Sequence, residues 1–148
     1  MTPNLNFKIL GQGQPVIILH GLFGMLDNWL NMAKKLVEAG YMAILIDQRD
    51  HGRSEHTNDF SYPLLANDLY HFMDENWIHE AILIGHSMGG KTSLQFISEH
   101  ESLISKLIII DIGIKNYTGG HMEVFDALFA VNTESIQSRD EAQSILMS

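Results

Sequence analysis

Glu80-Ala81-Ile82-Leu83-Ile84-Gly85-His86-Ser87-Met88-Gly89-Gly90-Lys91-Thr92 is the stretch whose reading decides the fold. It opens on an apolar run and passes through G-x-S-x-G at Gly85, Ser87 and Gly89. A helical pattern then runs on to His100. A serine between a strand and a helix sits on a tight, strained turn, and flanking glycines let neighbouring backbone approach it. Its hydroxyl then projects above the sheet at a helix N-terminus, where free N–H groups favour a developing oxyanion. The same residues fit a rival pattern. Gly85 to Thr92, GHSMGGKT, is also G-x-x-x-x-G-K-T, the signature of a phosphate-binding loop. In that reading Lys91 and Thr92 hold a nucleotide, and Asp111 ends a Walker-B-like strand. Such loops usually follow the first strand of their fold, whereas several strands precede this one. A third reading is a plain glycine turn with Lys91 as a solvated helix charge.

Working outward, short apolar runs alternate with amphipathic ones. Asn4 to Leu10, Pro15 to His20, Met42 to Asp47, Glu80 to Gly85 and Lys106 to Asp111 read as strands. Most are apolar at successive positions, which suits parallel strands buried on both faces. Trp29, Met32, Ala33, Leu36 and Val37 follow helical spacing, with Gly40 as the stop signal. A second helix is expected from Pro63 to Asn76 and a third from Ser87 to His100. Alternating strands and helices at this spacing predict βαβ units and a mostly parallel α/β sheet. Past Asp111 the pattern changes to a loop from Gly113 to Gly120. Two helical stretches follow, Met122 to Val131 and Ser138 to Leu146. The expected organisation is a core over residues 1–112 and the start of a helical cap over 113–148.

A second motif follows the early strand: His20-Gly21-Leu22-Phe23-Gly24. Acyl transfer needs two backbone N–H donors aimed where the carbonyl oxygen becomes negative. One is expected from Met88, the residue after the serine, and the other from Leu22 in this loop. Alone, HGLFG also fits a plain glycine loop; paired with G-x-S-x-G it favours the serine-nucleophile reading over the nucleotide one.

Composition bounds the alternatives. The 148 residues are 45% hydrophobic and 18% charged, enough for one domain with a real core. With no cysteine, disulfides, thiolate metal sites and a cysteine nucleophile are excluded. A net charge of −9 opposes a phosphate backbone or an anionic membrane surface. No nucleic-acid partner, membrane span, metal or cofactor is expected. No secretory leader is visible, so a cytoplasmic protein is the default. His79-Glu80 and His100-Glu101 both lack the second histidine of a metal-binding HExxH helix.

HGLFG, then DQRDHGRS from Asp47 to Ser54, then GHSMGG together resemble the α/β-hydrolase superfamily. The chain is most similar to its YbfF-like branch of small esterases and acyl thioesterases, on HGLFGMLDNW and on KLIIIDIGIKNY. The resemblance implies an α/β-hydrolase fold, a serine nucleophile at Ser87 and an oxyanion hole from Leu22 and Met88. It also implies a small acyl ester or thioester substrate. In this branch the acid ends the strand matching KLIIID, which places it at Asp111. Asp47 and Arg49 are expected to be structural, and His51 is not read as catalytic. The family's catalytic histidine lies beyond the stretch seen here, so the 148 residues read as a truncated hydrolase, weakly active or inactive. Of the eight histidines, His121 is the one substitute worth weighing; His86 and His20 read as packed or hydrogen-bonded side chains. Val124, Phe125 and Phe129 could face an acyl chain, although plain packing explains them as well. Truncation would leave Lys106 to Asp111 as an edge strand, which invites self-association.

Overall fold

The computed structural model describes residues 2–112 and 136–146. The chain divides into two compact units, Met1–Gly113 and Ile114–Ser148.

In the first unit, five strands form one sheet: β1 (Phe7–Leu10), β2 (Gln14–Leu19), β3 (Tyr41–Ile46), β4 (Ala81–His86) and β5 (Ile104–Ile110). Their order is β1-β3-β2-β4-β5. β2, β3, β4 and β5 are parallel to their neighbours, and β1 runs antiparallel to β3. Three helices cover the sheet: α1 (Leu30–Glu38), α2 (Tyr62–Glu75) and α3 (Met88–His100).

The apolar runs behave as strands buried on both faces. Successive side chains alternate across a strand, so each run feeds two cores. Ile17, Leu19, Ile44, Ile46 and Leu83 face Leu69, Phe72 and Met73 of α2 and Phe96 of α3. Val16, Ile18, Ala43, Leu45, Ile82 and Ile84 face the other way, onto Ala33 of α1 and Leu26. Burying a Val, Leu, Ile or Phe side chain contributes about 1.5–3 kcal/mol, so the central strands hold most of the stability.

Where boundaries differ from the sequence reading, local chemistry explains the shift. β1 begins at Phe7 rather than Asn4, because the residues before it bond to the loop after β3. The Asn6 N–H donates to Ser54 Oγ at 2.8 Å, and the Glu55 N–H donates to the Asn4 carbonyl at 3.1 Å. α2 starts at Tyr62, one residue before Pro63, with Ser61 as its N-cap. α1 is preceded by a short 3₁₀ turn, Leu26–Trp29, so the helix proper begins after Trp29. β5 stops at Ile110, and Asp111 turns away from it at φ 57°.

In the second unit, α4 (Arg139–Leu146) falls within the helix expected from Ser138 to Leu146. The Met122 to Val131 helix, its apolar residues Val124, Phe125 and Phe129, and His121 lie outside the described residues. No helix among the described residues is long and apolar enough to cross a membrane.

Candidate active site

The serine motif lies at the carboxyl end of the sheet, where open α/β sheets place their ligand crevices. Ser87 is the single residue between β4 and α3, with φ 49° and ψ −111°. This backbone region is rare for a residue with a side chain, and such conformations cluster at functional sites. The turn is held from three sides. The Ser87 N–H donates to the Ile110 carbonyl at 3.0 Å, and the Ser87 carbonyl accepts from the N–H groups of Gly90 and Lys91. A Cβ on Gly85 would sit 2.5 Å from both the Gly89 carbonyl oxygen and Ser93 Oγ. A Cβ on Gly89 would overlap the Leu19 carbonyl oxygen. The two glycines of the motif are therefore demanded by close backbone approach.

Gly21 brings the second motif alongside. A Cβ there would lie 3.3 Å from the Ser87 Cβ and 2.8 Å from His86 Nδ1. Leu22 is the next residue, so its N–H belongs to the peptide adjoining the serine. The Gly24 N–H closes the turn onto the Gly21 carbonyl at 2.9 Å. At the start of α3 the free donors sort themselves. The Gly89 N–H goes to the His20 carbonyl at 3.1 Å, and those of Gly90 and Lys91 go to Ser87. The N–H groups of Met88 and Leu22 have no hydrogen-bond partner among the described residues. Two uncommitted donors beside one half-buried serine is the arrangement an oxyanion needs.

His20 is buried at 1% exposure, and burial pushes its pKa below the ordinary 6.5, so the ring is neutral. The Gln48 N–H donates to His20 Nε2 at 3.0 Å, which leaves the proton on Nδ1. Nδ1 then donates to the Gly21 carbonyl at 2.8 Å. His20 therefore shapes the loop and does not take a proton from Ser87. His51 is likewise committed, with Nδ1 2.9 Å from the Arg49 carbonyl.

Asp111 follows β5 beside the serine turn, since Ile110 accepts the Ser87 N–H. Its side chain is 85% exposed, and His86 Nε2 lies 3.9 Å from its carboxylate. That spacing is too long for a hydrogen bond. The His86 ring also lies 5.9 Å from that of Trp29. No hydrogen bond joins an imidazole to the Ser87 hydroxyl among the described residues.

The loop after β3 supplies the scaffold. The buried Asp47 carboxylate accepts from the Leu26 N–H at 2.6 Å, the Arg53 N–H at 2.9 Å and Asn6 Nδ2 at 2.7 Å. Arg49 makes two parallel bonds to Asp68 of α2, both at 2.6 Å, and its pKa rises through that pairing.

The phosphate-loop reading fails on this geometry. Gly85 and His86 are strand, Met88 to Thr92 are helix, and one residue connects them. No loop is left to wrap a phosphate. Thr92 is 1% exposed and spends its hydroxyl on Gln48 and Met88. The Lys91 ammonium lies 5.7 Å from the centre of the Tyr62 ring. Among the described residues no cluster of three His, Asp or Glu side chains could hold a metal ion. The sequence reading missed Gln48 and weighed Thr92 only as a nucleotide ligand. A polar residue at the end of an apolar strand was the available signal for Gln48.

Comparison with known proteins agrees with this fold. The alpha/beta hydrolase fold family matches residues 14–144. Esterase YbfF of Escherichia coli (strain K12) is 38% identical over 133 residues, which cover 89% of this chain and 52% of that protein. The sn-1-specific diacylglycerol lipase ABHD11 of Danio rerio is 33% identical over 139 residues, 91% of this chain and 44% of that protein. A solved marine microorganism esterase superposes with a TM-score of 0.92 at 38% identity, covering 98% of this chain and 58% of that one. The chain thus spans about half the length of the curated relatives it matches.

Proposed function

The chain belongs to the α/β-hydrolase family, and from that premise we propose that its site hydrolyses carboxylic esters or acyl thioesters through Ser87. The observation that carries this reading is the serine at φ 49° on a one-residue elbow, flanked by two uncommitted N–H donors. Ser87 Oγ attacks the substrate carbonyl carbon, and the carbonyl π electrons move to oxygen. The N–H groups of Leu22 and Met88 hold that oxyanion. A base outside the described residues takes the serine proton and returns it to the leaving alcohol or thiol. Water then attacks the acyl-serine by the same route and releases the acid. Asp111 orients that base, fixes its tautomer and stabilises its charged form.

The loop after β2 supports the substrate class. Leu22, Phe23 and Met25, which follow Gly21 in it, are exposed apolar side chains. They give an acyl group apolar surface to rest on, which fits the ester and glyceride substrates in the names of the relatives.

The test is hydrolysis of p-nitrophenyl acetate by the 148-residue chain and its Ser87→Ala variant. The oxyanion hole and binding act in both proteins, so imidazole is supplied as the base, and with it the parent should turn over faster than the alanine variant. Equal rates from the two proteins, with both folded by circular dichroism, overturn the reading.

A further inference from the structure

The two proposed oxyanion donors come from different elements, Leu22 from the loop after β2 and Met88 from the first turn of α3. A pocket for one oxygen atom works only if their separation is fixed. Gln48, from the loop after β3, touches both sides.

Three hydrogen bonds place it. Its backbone N–H donates to His20 Nε2 at 3.0 Å. Its side-chain Nε2 donates to the His20 carbonyl at 2.7 Å. Its Oε1 accepts from the Thr92 hydroxyl, 2.9 Å away on α3. The amide orientation is forced, because the His20 carbonyl is only an acceptor and must meet the NH₂ end. That carbonyl also accepts the Gly89 N–H at 3.1 Å. His20 lies two residues before Leu22, Gly89 one residue after Met88, and Thr92 one helical turn beyond Met88. Gln48, His20 and Thr92 are 4%, 1% and 1% exposed. Water cannot readily substitute for these bonds.

We infer that Gln48, anchored by Thr92, is a positioning residue that sets the spacing between the Leu22 and Met88 N–H groups by clamping the His20 carbonyl to α3. This rests on the esterase reading of the site. Gln48 meets neither the serine nor an acyl group; it acts through His20 and Thr92. A misplacement of about 1 Å in a reacting group can cost about 10²-fold in rate. The loss should therefore fall on kcat and leave ground-state binding alone.

Gln48→Leu keeps the volume and removes both side-chain bonds. The fold has fallbacks for it. The His20 carbonyl keeps the Gly89 N–H, and the Thr92 hydroxyl keeps the Met88 carbonyl at 3.2 Å. Thr92→Val is the second variant and removes only the helix end of the clamp. The whole 148-residue chain is used, with two readouts. Amide hydrogen exchange should show the Gly89 N–H exchanging at least about tenfold faster in Gln48→Leu, with core amides such as Ile17 and Leu83 unchanged. On p-nitrophenyl acetate, kcat should fall about 10–100-fold with KM within about twofold, and Thr92→Val should fall between Gln48→Leu and the parent.

Unchanged Gly89 protection in both variants overturns the clamp. Lost protection with kcat intact overturns its role in positioning the donors. Turnover is read with imidazole supplied as the base, and a parent chain with no Ser87-dependent turnover under that condition overturns the esterase reading instead. The exchange measurement keeps that failure separate, because it needs no turnover.

Discussion

Replacing Ser87 with glycine should stabilise the chain while destroying its site. Ser87 sits at φ 49° and ψ −111°, where a Cβ is strained and glycine is at ease. Holding a non-glycine residue in such a region costs about 1–3 kcal/mol. The serine hydroxyl makes no hydrogen bond among the described residues, so its loss removes no partner. Glycine also loses more freedom on folding, about 0.5–1 kcal/mol relative to alanine. The comparison that isolates the backbone is Ser87→Gly against Ser87→Ala, because both lack the hydroxyl. The glycine variant should be more stable by about 1 kcal/mol, the strain relieved less the added entropy. At this chain length that raises Tm by about 2–4 °C. Urea unfolding followed by circular dichroism measures it, provided the two variants share one m-value. If Ser87→Gly proves less stable than Ser87→Ala, the elbow is not strained and the functional reading of its geometry loses its basis.

Three further outcomes follow from particular contacts. Asp68→Asn leaves the buried Arg49 guanidinium without its charge partner, and breaking such a pair costs about 3–5 kcal/mol; a thermal melt within about 2 °C of the parent contradicts it. His20 has a folded pKa below 6.5, so the unfolded chain binds its proton more readily. Its stability contribution is complete above pH 6.5 and is lost as pH falls below that value towards the folded pKa. A ¹⁵N titration should show the His20 ring still neutral, with the proton on Nδ1, at pH values where a free imidazole is charged; a ring that titrates like a free imidazole refutes this. Self-association through the outer edge of β5, which no strand pairs among the described residues, remains our proposal. Ile108 on that strand is 46% exposed. Sedimentation should depend on concentration, and Ile108→Lys should weaken that dependence; a monomer at every concentration refutes it.

The sheet was legible in the sequence because its central strands carry no polar residue between their ends. Runs such as Val16 to Leu19 and Ala81 to Ile84 have nowhere to go but between two layers of helices. Ser87 was legible for a related reason: few turns demand glycine two residues before and two after a serine, and backbone overlap enforces both. The antiparallel pairing of β1 with β3 was not legible, since four residues of moderate exposure carry no register signal. Its shortened start depends on Ser54 and Glu55, far along the chain. Gln48 and Thr92 escaped for the same reason, being 44 residues apart and meaningful only once α3 lies against the loop after β3. The letters GHSMGGKT fit a phosphate loop until the strand and helix ends showed that one residue joins them.

The central claim is that Ser87 is a nucleophile served by the Leu22 and Met88 donors. A fluorophosphonate probe, with intact mass as the readout and Ser87→Ala as the control, tests it most directly. With imidazole supplied as the base, a single adduct on the 148-residue chain is expected, mapped to Ser87 and absent from the alanine variant. No adduct on the folded protein with imidazole present, or an adduct that survives Ser87→Ala, contradicts it.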